Sequence, residues 1–428
     1  MWPGNNTITK KTGVIILGLC VVIQMFLSFV LPTYEPDNSC QHSADYFLNS
    51  NTERMQSVFN VASSEFSLTR VFFSLFPNYR AGCDGMSFIF LAKNFPYSYI
   101  ERNIYIDYPL YNMMADVILK PVQIIKGAPG YPVIFAAFIF VNFLLLLATV
   151  ILFFLLLYDY LSPKVAFLGG LLLVFSPFAH AFASQTTNSG IMEIFVVMGA
   201  LWLLYSYAKK PSVRRLVIYS LLFGILLLGK QIIALSLFIL FVGLFFKRRK
   251  ESLAFFVLQF VPTGLWFLFV HFILRLQYYS ASMSVYDQGT WFLKAKYWTL
   301  QSMGHIALTT LPNYFSTLIY GFLLIPLILS VYGLYKLNLK HKYLLYFGFI
   351  VSFLLLFIAM NYYRPSLSFL VFPVIYSTAA VGIFAVTDNL KKYGRYWQYL
   401  FFYGSLFLMI VFSNFNFFQF GVWSLLGV

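Results

Sequence analysis

Charged residues are scarce in this sequence, and acidic residues are the scarcest. Of the 428 residues only 10% are charged, with 14 Asp and Glu against 29 Lys and Arg, while 60% are hydrophobic. A chain this apolar has too little polar surface to cover a soluble globule, so its composition indicates a membrane protein. No basic domain stands apart from the hydrophobic segments, and the net charge of +15 therefore does not predict a nucleic-acid partner.

Several patterns that carry chemistry in other proteins are missing. The five His and three Cys do not cluster, no Gly-rich loop follows a strand pattern, and no Gly-x-Ser-x-Gly occurs. Metal sites need several ligands at close spacing. No metal ligand and no cofactor are therefore predicted, and a divalent metal has no support in these patterns. The absence of an internal repeat also argues against an inverted-repeat transporter.

Long apolar runs dominate the chain. A helix needs about 20 apolar residues to cross the hydrocarbon core of a bilayer. The sequence predicts an all-α polytopic membrane protein with about eleven transmembrane helices in a single transmembrane domain, residues 1–428. The predicted spans are 13–33, 132–157, 165–183, 191–208, 215–229, 231–246, 252–275, 314–335, 343–361, 367–386 and 397–414. The short pair 215–229 and 231–246 is either a hairpin that does not span fully or one that turns at Gly229-Lys230.

The distribution of charge predicts the orientation in the membrane. Basic clusters such as "KKPSVRR" (209–215) and "KRRKE" (247–251) fall in short loops on one side, and an excess of Lys and Arg marks the cytoplasmic side. The N-terminus is therefore predicted to be cytoplasmic. The acids lie on the other side, apart from Asp159, Glu251 and Asp388. No small-residue cleavage pattern follows the first span, which is not expected to be a cleaved signal.

Two loops on the outer side are long, 34–131 and 276–313. In the first loop, 64–76 and 108–127 have the apolar spacing of amphipathic helices that lie in the membrane interface. Asp116 and Lys120 form a helical i,i+4 pair in the second of these. Pro121 either interrupts that helix or starts a new one.

Polar residues that could carry chemistry gather at the predicted outer rim. Asp84 lies in the aromatic-rich stretch "NYRAGCDGMSFIFLAKNFP" (78–96), where a carboxylate faces water, a cation or a substrate. A solvated loop residue is the plain alternative. Arg102 and Asp107, in "ERNIYIDYP" (101–109), could simply pair with each other.

Three more candidates lie at predicted outer ends of helices. Glu193 opens a hydrophobic segment, where it could interact with a helix N-terminus. Lys230 interrupts an apolar run in "LLLGKQIIA", where it could snorkel. Arg364 has a planar fork suited to phosphate. Together, cations and carboxylates on one side of a membrane are what sugar transfer from a lipid-linked phosphate donor requires.

Four short motifs give the chain a resemblance to the GT-C glycosyltransferases, multi-pass enzymes that take sugars from polyprenyl-phosphate carriers. "CDGMSF" (83–88) and "RNIYIDYP" (102–109) resemble, in order, two elements of the family's long first outer loop. Met86 and Ser87 stand where the family motif has a glutamine and an aromatic residue. "LLLGKQ" (226–231) and "YYRPSLSFLVFPVIY" (362–376) resemble its basic helix end and its late Arg-then-Pro helix.

The resemblance implies a role for each candidate. Asp84 would be the general base, with Asp45 in "SADYF" as its rival, and we favour Asp84. Arg364 and Lys230 would contact the donor phosphate. The residues expected to line the vestibule are Arg102, Asp107 and Glu193. The implied partners are a polyprenyl-phosphate-sugar donor, a lipid, glycan or protein acceptor, and the bilayer, with the active site on the extracytoplasmic face.

Other hypotheses stay open at this point. A transporter or lipid flippase would place charge in the middle of helices, where an ion persists only for function, and almost no predicted helix centre here carries one. A non-enzymatic membrane scaffold is a third interpretation. Cys40 and Cys83, the two cysteines of the first outer loop, are candidates for a disulfide if that side is oxidising.

Overall fold

The computed structural model describes residues 8–30, 109–126, 131–177, 179, 190–230, 233–276, 324–360 and 369–414, with scattered residues between 299 and 322. This described part of the chain is helical and contains no strand. Its α-helices are α1 (Lys10–Val30), α2 (Pro109–Lys126), α3 (Tyr131–Tyr160), α4 (Pro163–Val174), α5 (Gly190–Lys209), α6 (Val213–Leu227), α7 (Ile233–Phe245), α8 (Arg249–Leu258), α9 (Phe260–Leu268), α10 (Leu324–Lys336), α11 (Lys342–Met360), α12 (Phe372–Leu390) and α13 (Arg395–Asn414).

The predicted all-α class is confirmed, and a helix overlaps each of the eleven predicted spans. Among the described residues, four helical stretches are long and apolar enough to cross a membrane by length and composition. These are Lys10–Leu27, Ala136–Tyr160, Gly190–Lys209 and Arg249–Ile273. The number of eleven spans stays a prediction, as do the domain limits drawn from the sequence.

Prolines explain where two helices differ from their predicted limits. The helix predicted over 165–183 ends at Val174, because Pro177 disfavours the helical conformation at the residue before it, Ser176. The span predicted over 252–275 is interrupted at Gln259, since Pro262 has no N–H to donate to the preceding turn. Its last turn is a π-helix, Phe269–Ile273.

Helices α10 and α12 make a close contact through small residues. A Cβ atom added at Gly333 would lie 1.7 Å from the carbonyl oxygen of Thr378, and one added at Gly382 would lie 2.0 Å from that of Leu329. Beside these glycines, the Ser330 hydroxyl lies 2.6 Å from that of Thr378. Small residues spaced one turn apart let backbones approach, which is how helices associate in a bilayer.

One end of the bundle is fixed by a charged cluster at the ends of α1, α3 and α5. Lys10 Nζ lies 2.6 Å from Asp159 Oδ1, and Lys209 Nζ lies 3.5 Å from Asp159 Oδ2. The Tyr205 hydroxyl also donates to Asp159. Because α5 ends in this cluster at Lys209, its first turn lies at the opposite end of the bundle, about 24 Å away at 1.5 Å per residue.

Candidate functional site

A buried ion pair marks the end of the bundle opposite the N-terminus. Lys230 Nζ lies 3.0 Å from Glu193 Oε1, and the two side chains are 11% and 0% exposed. The two residues come from different helices, and both were predicted as site residues from the sequence. Removing two charges from solvent costs several kcal/mol for each ion unless they are paired. The pairing therefore accounts for the presence of both charges in this apolar bundle.

Helix ends bring the two charges together. Glu193 lies in the first turn of α5, where the positive end of the helix dipole favours a carboxylate, as predicted. Lys230 lies just past the end of α6, after a turn in which the Gly229 N–H donates to the Leu226 carbonyl at 2.9 Å. A Cβ atom added at Gly229 would lie 2.8 Å from Met192 Sδ. Glycine therefore allows this turn to lie directly against α5.

The hypothesis that Lys230 snorkels to the surface is wrong. The residue is only 9% exposed, and its ammonium group lies 3.0 Å from Glu193 Oε1. The expectation of a turn at Gly229-Lys230 is confirmed, since α6 ends at Leu227 and α7 begins at Ile233. The long apolar stem of Lys230 thus serves to reach a buried carboxylate and not the water phase.

Helix α2, from the long first loop, docks onto the same turn. The Leu110 N–H donates to the Leu228 carbonyl at 3.2 Å, two residues before Lys230. Leu110 also packs against a small apolar cluster that Leu228 forms with Trp266, Val270 and Leu274. The loop predicted to carry the catalytic residues therefore begins its return to the bundle directly beside the ion pair.

The two faces of α2 differ as an interfacial helix requires. On the buried face, the Tyr111 hydroxyl donates to Asn142 Oδ1 of α3 at 2.7 Å. On the outward face, Val117 is 70% exposed and Ile124 is 83% exposed. Exposed apolar side chains on one face of a helix fit contact with lipid. The Tyr111–Asn142 hydrogen bond was not predicted, although a lone Asn within the apolar run of α3 is a visible signal.

Two expectations for α2 have clear outcomes. The predicted Asp116–Lys120 pair is confirmed, with a distance of 3.6 Å between Asp116 Oδ2 and Lys120 Nζ. The expectation that Pro121 interrupts the helix or starts a new one is wrong, because α2 continues from Pro109 to Lys126. Proline removes one backbone hydrogen bond there, and the carbonyl that loses its donor belongs to the exposed residue Val117.

The other predicted site residues lie outside the described residues. They are Asp45, Asp84, Arg102, Asp107 and Arg364, together with the candidate disulfide partners Cys40 and Cys83. Of the predicted site residues, the structure describes Glu193 and Lys230. Within the described ranges, no group of three His, Cys, Asp or Glu side chains could hold a metal ion.

The described residues thus form an apolar helical bundle with a buried ion pair at one end, where α2 also docks. Residues 131–274, which include both Glu193 and Lys230, match the family model described as dolichyl-phosphate-mannose-protein mannosyltransferase. A search of curated proteins gave no match.

Among solved structures, the chain resembles the archaeal oligosaccharyltransferase AglB from Archaeoglobus fulgidus, which was determined in complex with an inhibitory peptide and a dolichol-phosphate. The match has a TM-score of 0.50 and 14% sequence identity, and it covers 94% of this chain and 55% of that one. The chain thus spans little more than half the length of this neighbour. Together the two matches support the predicted resemblance to the GT-C glycosyltransferases at the level of the fold.

Proposed function

We propose that this protein is an integral-membrane glycosyltransferase that transfers a sugar from a polyprenyl-phosphate-linked donor to an acceptor on the extracytoplasmic face. The observation that carries the proposal is the buried Lys230–Glu193 pair on a GT-C fold, at the end of the bundle where α2 docks. This end is opposite the cluster around Lys10, and the basic loops predict that the Lys10 end is cytoplasmic.

The reaction needs a base and a way to stabilise the leaving group. A carboxylate takes the proton from an acceptor hydroxyl, and the hydroxyl oxygen attacks the anomeric carbon of the sugar. The bond between that carbon and the phosphate oxygen breaks, and polyprenyl phosphate leaves with the electron pair. Cations beside the phosphate stabilise the negative charge that develops on it. Asp84 is our candidate base, and Asp45 is the alternative.

The ion pair changes how the two candidate cations share the phosphate. The Glu193 carboxylate lies 3.0 Å from the Lys230 ammonium, so its charge offsets that of the lysine. We therefore assign the main phosphate contact to Arg364, whose guanidinium can form two parallel hydrogen bonds to it. Lys230 supplies a second contact from a position that Glu193 fixes. Arg102 and Asp107 are proposed to line the same vestibule with Glu193.

Binding of the leaving group tests this function without knowledge of the sugar or the acceptor. The full chain in detergent is mixed with undecaprenyl phosphate or dolichyl phosphate, and with undecaprenol as the matched lipid that lacks phosphate. A ligand that binds only the folded state raises the unfolding temperature. We expect a rise with at least one of the phosphates and none with the alcohol. An equal rise with undecaprenol, or no rise with either phosphate, contradicts the proposal.

Transfer itself is tested in proteoliposomes with radiolabelled sugars. Polyprenyl-phosphate-mannose and polyprenyl-phosphate-glucose are the donors, and GDP-mannose and UDP-glucose are the matched donors without the lipid. Membrane extract supplies lipid, glycan and protein acceptors. We expect label to pass to the acceptor fraction from a lipid-linked donor only. Transfer from a nucleotide sugar alone would contradict the lipid-phosphate donor.

A further inference from the structure

Two basic loops meet at the end of the bundle that also holds Lys10. The first connects α5 to α6 and the second connects α7 to α8. The Tyr207 hydroxyl at the end of α5 donates to Glu251 Oε2 at the start of α8, at 2.8 Å. Phe223 of α6 and Phe255 of α8 pack edge to face with ring centroids 5.2 Å apart. The tertiary structure thus places side by side two basic runs, 209–215 and 247–251, that have 31 residues between them in the chain.

Acidic residues in the described part of the chain do not neutralise this area. The one acid in the two basic runs, Glu251, accepts from Tyr207 and from Arg248 Nη1, the latter at 3.3 Å. Lys209 contacts Asp159, and Arg215 donates to the Lys210 carbonyl. Five further basic side chains are exposed and make no ion pair with a carboxylate among the described residues. They are Lys210, Arg214, Lys247, Arg249 and Lys250, which we call the basic surface.

The backbone at Lys247 indicates that one of these charges is held in place at a conformational cost. Lys247 has a φ of 59°, in the left-handed region that favours glycine. It is the residue after the helix cap: its N–H donates to the Leu244 carbonyl at 3.3 Å, and the Arg248 N–H donates to the Gly243 carbonyl at 2.7 Å. This is the Schellman ending of a helix, where glycine is usual. A lysine here gives up backbone stability and keeps a positive charge.

Exposed apolar side chains accompany the charges. Val213 lies beside Arg214 and is 80% exposed, and Phe246 lies beside Lys247 and is 42% exposed. Clusters of Lys and Arg next to the end of a transmembrane helix attract anionic lipid head groups, and neighbouring apolar side chains can enter the acyl boundary. Orientation in the membrane depends on the number of basic residues in the loops. It does not require the two loops to contact each other, or a lysine to adopt a strained backbone conformation.

We propose that the basic surface binds the phosphodiester head groups of anionic phospholipids in the leaflet at this end of the protein. The proposal does not depend on glycosyl transfer, because the basic surface lies at the end of the bundle away from Lys230 and Glu193. Its ligand is a bilayer phospholipid, whereas the donor proposed above is a polyprenyl phosphate at the opposite end.

The test uses the full chain in nanodiscs that contain phosphatidylcholine and phosphatidylglycerol in equal amounts. Native mass spectrometry after gentle release gives the ratio of retained phosphatidylglycerol to phosphatidylcholine. We compare Arg249→Gln/Lys250→Gln with Lys391→Gln/Lys392→Gln, which removes the same charge from exposed residues of the 3₁₀ turn after α12. Both leaflets have the same composition, so the result is independent of orientation.

We expect the wild type to enrich phosphatidylglycerol, the first variant to lose several-fold of that preference, and the control to keep it. Equal losses in both variants would mean that only bulk charge matters and would overturn the proposal. The absence of a lipid preference in the wild type would also overturn the proposal. The basic surface would then bind an acidic protein or serve only to set the orientation in the membrane. Lys247→Gly sharpens the test, since it should raise the unfolding temperature and still weaken the preference. If Lys247→Gly keeps the full preference for phosphatidylglycerol, Lys247 does not belong to the basic surface.

Discussion

The Lys230 ammonium lies 3.0 Å from the Glu193 carboxylate at the end of the bundle where α2 returns from the first outer loop. A helical hairpin separates these residues in the sequence. From the sequence alone, Lys230 was explained as a snorkelling lysine and Glu193 as a carboxylate at a helix N-terminus. Their contact ties the position of α5 to the turn between α6 and α7. The same turn carries the hydrogen bond from Leu110.

Replacing one partner of this pair should destabilise the protein strongly. Lys230→Met removes the cation that lies 3.0 Å from the fully buried Glu193 carboxylate, and breaking a buried pair in this way costs about 3–5 kcal/mol. We expect a lower unfolding temperature, measured by thermal denaturation in detergent. The matched double variant Lys230→Met/Glu193→Met removes both charges and should recover most of the loss.

The double variant also separates stability from function. If Lys230 contacts the donor phosphate, the stable double variant should still bind undecaprenyl phosphate more weakly than the wild type. Wild-type binding by the double variant would show that the ion pair has a structural role only, and the phosphate contact would then fall to Arg364 alone.

Asp84 is predicted to act as the general base. Asp84→Asn keeps the shape of the side chain and removes its charge, and loss of a general base lowers the rate by about 10²–10⁴-fold. Transfer of labelled sugar in proteoliposomes should fall by this factor while binding of undecaprenyl phosphate persists. Asp45→Asn is the matched variant in the same loop. If it abolishes transfer and Asp84→Asn does not, Asp45 is the base.

Arg364 is predicted to bind the carrier phosphate through its planar guanidinium. Lysine keeps the charge but has a single ammonium group, so it does not reproduce a two-point contact. Arg364→Lys should weaken the stabilisation by undecaprenyl phosphate without lowering the unfolding temperature of the free protein. The control is Arg395→Lys, at the first residue of α13, which should change neither measurement. Unchanged phosphate binding in Arg364→Lys would refute the assignment.

The contact between α10 and α12 should not tolerate a methyl group. In Gly382→Ala the new Cβ would lie 2.0 Å from the Leu329 carbonyl oxygen, so the two backbones must separate. Overpacking of this kind costs about 1–3 kcal/mol. The matched variant is Gly404→Ala in α13, where no atom lies within 4 Å of the added carbon. Thermal denaturation should show a loss for the first variant only, and equal stability of the two would argue against this packing.

Cys40 and Cys83 are predicted to form a disulfide on the outer side. Alkylation of the unfolded, non-reduced protein followed by mass spectrometry counts the free thiols. We expect one alkylated cysteine, Cys20, before reduction and three after it, since Cys20 is a free thiol in the structure. Three alkylated cysteines before reduction would exclude the bridge.

The sequence by itself determined the membrane class and the helical segments, because long apolar runs leave helices as the form that satisfies their backbone hydrogen bonds in lipid. It also determined the Asp116–Lys120 pair, since helical spacing brings positions four apart to the same side. The choice of Glu193 and Lys230 as site residues rested on a similar local signal, a charge at the edge of an apolar run.

Tertiary structure alone decided which partners these residues have. Lys230 contacts Glu193, and Tyr207 contacts Glu251. In each pair the two residues belong to different segments of the chain, and no periodic pattern in the sequence predicts the contact. The local rule for proline also failed at Pro121, because α2 continues through it. The buried face of this helix docks onto α3 through the Tyr111–Asn142 hydrogen bond. The physical reason is the same in each case: spacing fixes which residues share a helix face, whereas packing fixes what that face meets.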